Sequence, residues 1–231
     1  MALFLPSGGA SRLRLAQGLL FIATLALAQD VHPVSGRQIA PVMGAAGADW
    51  LERSEREREE NPEAALDALG LRAGMAVADI GAGTGYMTLR IARRVGPTGK
   101  VYGEDIQPEM LRRLRANALR AKLTNIETVG GSGTDAKLPV ATIDLVILVD
   151  VYHEFSKPRE MLASIRRCLK PDGRLVLLEY RKEDPEIPIR IEHKMTVAEV
   201  KAEIEPEGFK MKDVLETLPR QHILIFSVNA R

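Results

Sequence analysis

The run Asp150-Val151-Tyr152-His153-Glu154-Phe155 groups an imidazole with two carboxylates and a phenol. With an unperturbed pKa of about 6.5, histidine is the side chain best suited to take a proton near neutrality, a general-base role worth roughly 10² to 10⁴ in rate. His153 is therefore the catalytic candidate, with Glu154 able to orient its ring and Tyr152 beside it. A hydrogen-bonded structural histidine is the alternative. A second stretch, Val77-Ala78-Asp79-Ile80-Gly81-Ala82-Gly83-Thr84-Gly85, is an apolar run closing on alternate glycines. Glycines at such a turn let the backbone bend tightly and approach a ligand. A third, Val101-Tyr102-Gly103-Glu104-Asp105-Ile106, ends in two adjacent acids before the helix start Gln107-Pro108-Glu109. Strand alternation sends neighbouring side chains to opposite faces, so only one of the two acids should reach a ligand.

These residues need a scaffold, and the surrounding patterns describe one. Short apolar or β-branched runs at 76–80, 101–105, 125–129, 143–149 and 174–180 alternate with helical patterns at 87–95, 108–121 and 158–169. Such alternation builds a mostly parallel sheet covered on both faces, with ligands bound outside the carboxyl ends of its strands. Two further strands, 209–215 and 222–228, are joined by a link too short for a helical crossover and should pair as an antiparallel hairpin. That topology brings His222 to the same edge as His153, and His193 follows the fifth strand, just before a Thr196 N-cap. The three imidazoles are thus expected around one pocket with Glu179 and Tyr180, where His193 and His222 would meet substrate or, alternatively, a metal. No short ligand-spacing motif supports the metal, and none is expected. Charge alternates along 48–60, which reads as a solvated helix, and Asn61-Pro62-Glu63 caps the next one.

In their order, the glycine run, the Glu104-Asp105 strand end, Gly133-Thr134-Asp135-Ala136-Lys137-Leu138-Pro139, Ile143-Asp144-Leu145-Val146 and the Pro171 turn resemble the motifs of class I S-adenosylmethionine-dependent methyltransferases. The resemblance covers roughly residue 50 to the end of the chain. It implies an α/β fold, a Rossmann-like doubly wound sheet of seven strands in the order 3-2-1-4-5-7-6 with the last strand antiparallel. It also implies S-adenosyl-L-methionine as cofactor, with Asp79, Gly81, Ala82, Gly83 and Gly85 forming its loop. Asp105 would hold the ribose hydroxyls, with Glu104 as the competing acid, and Ile106 would pack on the adenine. Asp135 would read the adenine's amine, unless it only closes an Asx turn, and Asp150 would contact the cofactor's amino group or shape its pocket. Asp144 and the Pro171 turn are scaffold. Tyr86 stands where a dinucleotide fold wants its third glycine. The leading function is methylation of a small molecule, on oxygen with His153 as base, with nitrogen, sulfur and carbon acceptors open. A non-catalytic S-adenosylmethionine-binding module is the alternative; a nicotinamide-dependent oxidoreductase is disfavoured by Tyr86 and the terminal hairpin.

Composition narrows the partners. Among 231 residues, 32 lysines and arginines face 31 acids, a net charge of +1. No global basic field draws the chain to nucleic acid, so a small molecule is the expected partner. The single cysteine, Cys168, excludes an intramolecular disulfide and reads as a core thiol. Arg12 and Arg14 precede an apolar run of about 14 residues ending in Ala26-Leu27-Ala28. That run is shorter than the roughly 20 residues of a membrane-spanning helix and has the order of a secretory signal. The expected organisation is a signal peptide at 1–28, a linker at 29–47 that includes His32 with no role, and a methyltransferase domain at 48–231. Removal of the signal leaves no membrane span and a periplasmic or secreted protein; if the segment is not functional, the protein is cytoplasmic. Oligomeric state is left open. Export also sets a tension, since the cofactor is expected to be made in the cytosol.

Overall fold

The computed structural model describes residues 30–229. The signal peptide expected at 1–28 lies outside the described residues. Three short helices, α1 (Ala48–Leu51), α2 (Arg56–Glu60) and α3 (Pro62–Ala68), precede the sheet. The chain then runs β1 (Ala76–Ile80), α4 (Tyr86–Val95), β2 (Lys100–Asp105), α5 (Pro108–Arg120), β3 (Ile126–Gly130), β4 (Ile143–Val149), α6 (Pro158–Cys168) and β5 (Leu169–Tyr180). After α7 (Val197–Ile204) come β6 (Phe209–Leu215) and β7 (Gln221–Val228).

The seven strands form one sheet in the order β3-β2-β1-β4-β5-β7-β6. β7 runs antiparallel to both β5 and β6, and the other pairings are parallel. The central strands are apolar almost throughout because both faces are covered. Val77, Ala78 and Ile80 of β1 and the Leu145–Leu148 stretch of β4 are buried. On one face Met161, Leu162 and Ile165 of α6 pack with Val200 and Ile204 of α7 against Val146, Leu148 and Leu177. On the other, Ala65 and Leu66 of α3 and Met87 and Ile91 of α4 pack against Val77, Leu145 and Val176. Helix starts follow the sequence: the Asn61 side chain accepts from the Ala64 N–H, and Thr196 and Glu199 form a reciprocal capping box at α7.

The segment read as linker is packed. Residues 30–47 form a strap that begins as a small turn bridged between Val31 and Gln38 and crosses to the mouth of the sheet's carboxyl edge. His32, Arg37 and Ala40 of the strap are buried. Arg37 makes a forked pair with Glu203 of α7, Nε to Oε1 at 2.9 Å and Nη2 to Oε2 at 3.0 Å, and its Nη1 donates to the His153 carbonyl at 2.9 Å. His32, for which no role was expected, lies 3.3 Å from the same carboxylate. Among the described residues, no helix is long and apolar enough to cross a membrane.

Candidate active site

Because parallel strands end together, the carboxyl ends of β1, β2 and β4 open into one cavity of about 410 Å³. The turn after β1 shapes its first wall. Gly81 and Gly83 have φ of +70° and +54°, and a Cβ on Gly81 would sit 2.5 Å from Val151. Their backbone therefore lies against the cavity in a conformation that larger residues rarely adopt. Asp105 locks the turn, its Oδ2 accepting from the Gly83 N–H at 3.0 Å and its Oδ1 from the Gln107 N–H at 2.8 Å. Ile106 lines the cavity and is 45% exposed, a free apolar surface.

Both acids at the end of β2 reach this wall, contrary to the expectation that alternation admits one. Asp105, the last residue of β2, is drawn to the Gly83 turn, while Glu104 is buried against Gly131. Burial first, and then the neighbouring Asp105, raise the Glu104 carboxyl to about 8. Asp105 is also raised by burial, against the pull of the two N–H groups it accepts from. Asp150 closes β4 with a left-handed φ of 53°. Its Oδ2 accepts from Gln221 at 2.7 Å, and burial, then Glu60 and Glu179, hold its pKa well above the ordinary value. Glu104 Oε1 and Asp150 Oδ1 have no hydrogen-bond partner among the described residues. Two orphaned acid oxygens beside a glycine turn suit a ligand that brings hydrogen-bonding hydroxyl or amino groups.

Other expected cofactor residues stand behind the cavity. Asp79 accepts from the Thr88 hydroxyl at 2.5 Å and is pushed up to about 6 by burial, so it braces the turn from within the fold. Ala82 donates its N–H to the Glu104 carbonyl, and Gly85 packs on Leu89 and Leu114; neither lines the cavity. Asp135, expected to read an adenine edge, does not line the cavity. It closes an Asx turn onto the Lys137 N–H at 2.9 Å and bonds Ser164 and Arg167 at the surface, while Ser132 and Gly133 of the same loop face the cavity.

At the far wall, His153 is 2% exposed. Its Nδ1 lies 2.6 Å from Glu179 Oε2, and its Nε2 lies 3.1 Å from His193 Nδ1. Glu179 is fully buried, and its other oxygen accepts the Tyr152 N–H at 3.0 Å. Burial, the largest influence, lowers the His153 pKa, but Glu179 with Glu154 and Asp150 together outweigh it and the net shift is upward. Burial and the neighbouring His153 lower that of His193. Glu154 lines the same wall, accepts weakly from the Met43 N–H at 3.4 Å, and is raised by burial to about 7. Ligand atoms of His153, Glu154 and His193 fall within 4.8 Å of one another, a cluster compact enough to surround a cation.

The other two residues expected at this wall are elsewhere. Tyr152 is wholly buried with its hydroxyl toward His32 at 3.5 Å, so it is a core residue beneath the strap. His222 does not join the pair: its Nδ1 lies 2.6 Å from Glu216 and its Nε2 3.0 Å from Glu183, outside the cavity lining.

Two sets of lining residues escaped the sequence reading. Arg56 and Glu60 are buried rather than solvated, with Arg56 Nε on Glu60 Oε2 at 2.7 Å, and the Tyr180 hydroxyl donates to Glu60 Oε1 at 2.9 Å. Met43 of the strap accepts from Gln107 Nε2 at 2.9 Å and roofs the cavity with Val42.

Residues 71–222 match the model of a family described as a methyltransferase domain. The ubiquinone/menaquinone biosynthesis C-methyltransferase UbiE of Escherichia fergusonii is 34% identical over 118 residues, which are 51% of this chain and 47% of that protein. The chain thus spans about half the length of the curated relatives it matches. A SAM-dependent methyltransferase from Aquifex aeolicus superposes with a TM-score of 0.77 at 26% identity, covering 81% of this chain and all of that one. A type 11 methyltransferase from Sulfolobus solfataricus shares the fold, with a TM-score of 0.61 at 18% identity over 75% of this chain and 95% of its own. Strand order, glycine turn, acid-lined cavity and family match agree, and the chain belongs to the methyltransferase domain family, with the fold of class I S-adenosylmethionine-dependent methyltransferases.

Proposed function

We propose that this methyltransferase acts on a hydroxyl of a small, largely apolar aromatic molecule, and that the proton given up comes to rest on His153. One observation carries the reading: a single cavity has the glycine turn and unpaired acids on one wall and the His153–Glu179 pair on another. S-adenosylmethionine supplies the methyl group from a sulfonium centre. The chain's residues fit it, because the orphaned oxygens of Glu104 and Asp150 leave polar positions open beside the glycine turn and Asp105 suits a ribose diol. Met43, Val42 and the strap limit the access of water, which strengthens the electrostatics inside. Exposed Val42, Trp50 and Ile106 at the lining favour an apolar ring over a phosphate or a nucleic acid. A carbon acceptor is the second reading, favoured by the likeness to a C-methyltransferase. Removing a phenol's proton also makes its ring carbon nucleophilic, so the same base serves both. We further propose that the protein is exported, on the pattern of residues 1–28.

The test is incubation with S-adenosylmethionine and a panel of phenols, amines and thiols, with product structures read by mass spectrometry and NMR. Methylated phenol oxygen is the expected product. Ring methylation would move the assignment to carbon, and transfer only to amines or thiols would overturn it. The variant His153→Ala should keep cofactor affinity and lose roughly 10² to 10⁴ in turnover.

A further inference from the structure

His153 lines the cavity but has no ring nitrogen free to meet an acceptor. It is 2% exposed, and both ring nitrogens are engaged, one by Glu179 and the other by His193. His193, half-buried in the turn Ile191–His193, lines the same wall. Among the described residues its Nε2 has no hydrogen-bond partner.

We propose that His193 is the catalytic residue that touches the acceptor, and that Glu179, His153 and His193 form a proton path. The path rests on the reading that the acceptor is a hydroxyl. Nε2 of His193 takes the hydroxyl proton as the oxygen–methyl bond forms and the methyl–sulfur bond breaks. The Nδ1 proton of His193 then passes to Nε2 of His153, and the positive charge rests on His153 against the Glu179 carboxylate. His153 and Glu179 are positioning residues in this scheme.

The hydrogen bonds dictate the direction. Glu179 is already held by the Tyr152 N–H, so it is a fixed acceptor, and the proton of neutral His153 lies on Nδ1. Nε2 of His153 is then an acceptor, His193 must donate from Nδ1, and a lone pair is left on Nε2 of His193, a residue that lines the cavity. The groups around each ring agree. Glu179, Glu154 and Asp150 surround His153 and favour charge there, whereas burial and charge on His153 disfavour it on His193, near Arg190 and Glu192. A proton accepted at His193 therefore moves inward downhill.

The loop that carries His193 is built to present it. Lys194 is 4% exposed, and its ammonium donates to the carbonyls of Asp184 and Ile187, each at 3.0 Å. The Met195 N–H donates to the Tyr180 carbonyl at 3.0 Å, tying the loop to the end of β5.

Two measurements on the full protein test the path. Long-range proton–nitrogen NMR of the ¹⁵N-labelled protein, above the pH at which the pair is charged, should show both rings as Nδ1–H tautomers. A proton on Nε2 of His193 would overturn the path whatever the acceptor is. With catechol as probe, His193→Ala should lose roughly 10² to 10⁴ in turnover at unchanged cofactor affinity, and added imidazole should restore part of it. His193→Ala turning over as wild type would overturn the proposal. So would activity abolished by a chelator and restored by zinc, which would make the pair metal ligands. Wild type that transfers to carbon, amines or thiols alone sinks the hydroxyl reading instead, and the tautomer result stands apart from it.

Discussion

Replacing Arg37 by alanine should unfold the strap and destabilise the whole domain. The Glu203 side chain is fully buried, and Arg37, itself 4% exposed, answers both of its oxygens with three contacts between 2.9 and 3.2 Å. Removing one partner of such a pair leaves a buried charge with weaker company, here His32 and Ser35, and costs about 3 to 5 kcal/mol. For a chain of this size that lowers Tm by roughly 6 to 20 °C. Replacing the pair together, Arg37→Met with Glu203→Leu, should recover most of the loss, since no charge is then stranded. Differential scanning calorimetry of the three proteins at equal pH reads this directly. Affinity should fall with stability in the single variant, because the same guanidinium holds the His153 carbonyl and the strap roofs the cavity. A single variant that loses less than about 1 kcal/mol, the value of an exposed pair, would refute the strap as a structural element.

Three further outcomes can be checked. Asp105→Ala should weaken S-adenosylmethionine binding by roughly 10- to 100-fold, from lost charge-assisted bonds of about 1.5 to 3 kcal/mol and a loosened Gly83 turn; calorimetry in which Glu104→Ala has the larger effect would reverse their roles. Glu104 titrates from 4.5 in the unfolded chain to about 8 in the fold, so its contribution is full below 4.5 and is lost as pH rises toward 8. Cofactor-free Glu104→Gln should therefore lose less stability than wild type between about pH 5 and about pH 8, and parallel urea-denaturation profiles would contradict the assignment. Protein recovered from its native host should begin at Gln29, and intact mass showing residues 1–28 still attached would remove the case for a cleaved signal.

The sheet was legible because its signals are local and repeated. Buried parallel strands need continuous apolar runs, helices between them need an apolar stripe, and the short 215–221 link admits only a hairpin. Gly81, Gly83, Asp105 and Asp150 were legible for a related reason: strand ends in this topology share one edge, so sequence position translates into place. What failed needed contacts between distant segments. Arg56 and Glu60 look like any solvated charge run until Tyr180, 120 residues on, is seen against Glu60. His222 occupies the expected edge, yet acids on both sides, Glu183 and Glu216, claim its ring. Asp135 illustrates the limit within a loop, where local Asx geometry competes with ligand contact on equal terms. Turns in the strap carry prolines and glycines like a linker, and only Glu203, 166 residues away, gives Arg37 a reason to be buried.

That separation gives the molecule a definite order of assembly. Contacts spanning most of the chain form late, since the loop they close is long and its entropy must be offset by structure already present. The sheet and α7 have to exist before Glu203 offers a socket, so the roof over the cavity is the last piece to arrive. A polypeptide lacking residues 1–70 would keep all seven strands, the glycine turn and both imidazoles, yet have no roof and no Arg56. Competence to hold a ligand is thus a property of the two ends of the chain meeting, and partial proteolysis before residue 48 should silence the protein while leaving its circular dichroism nearly unchanged.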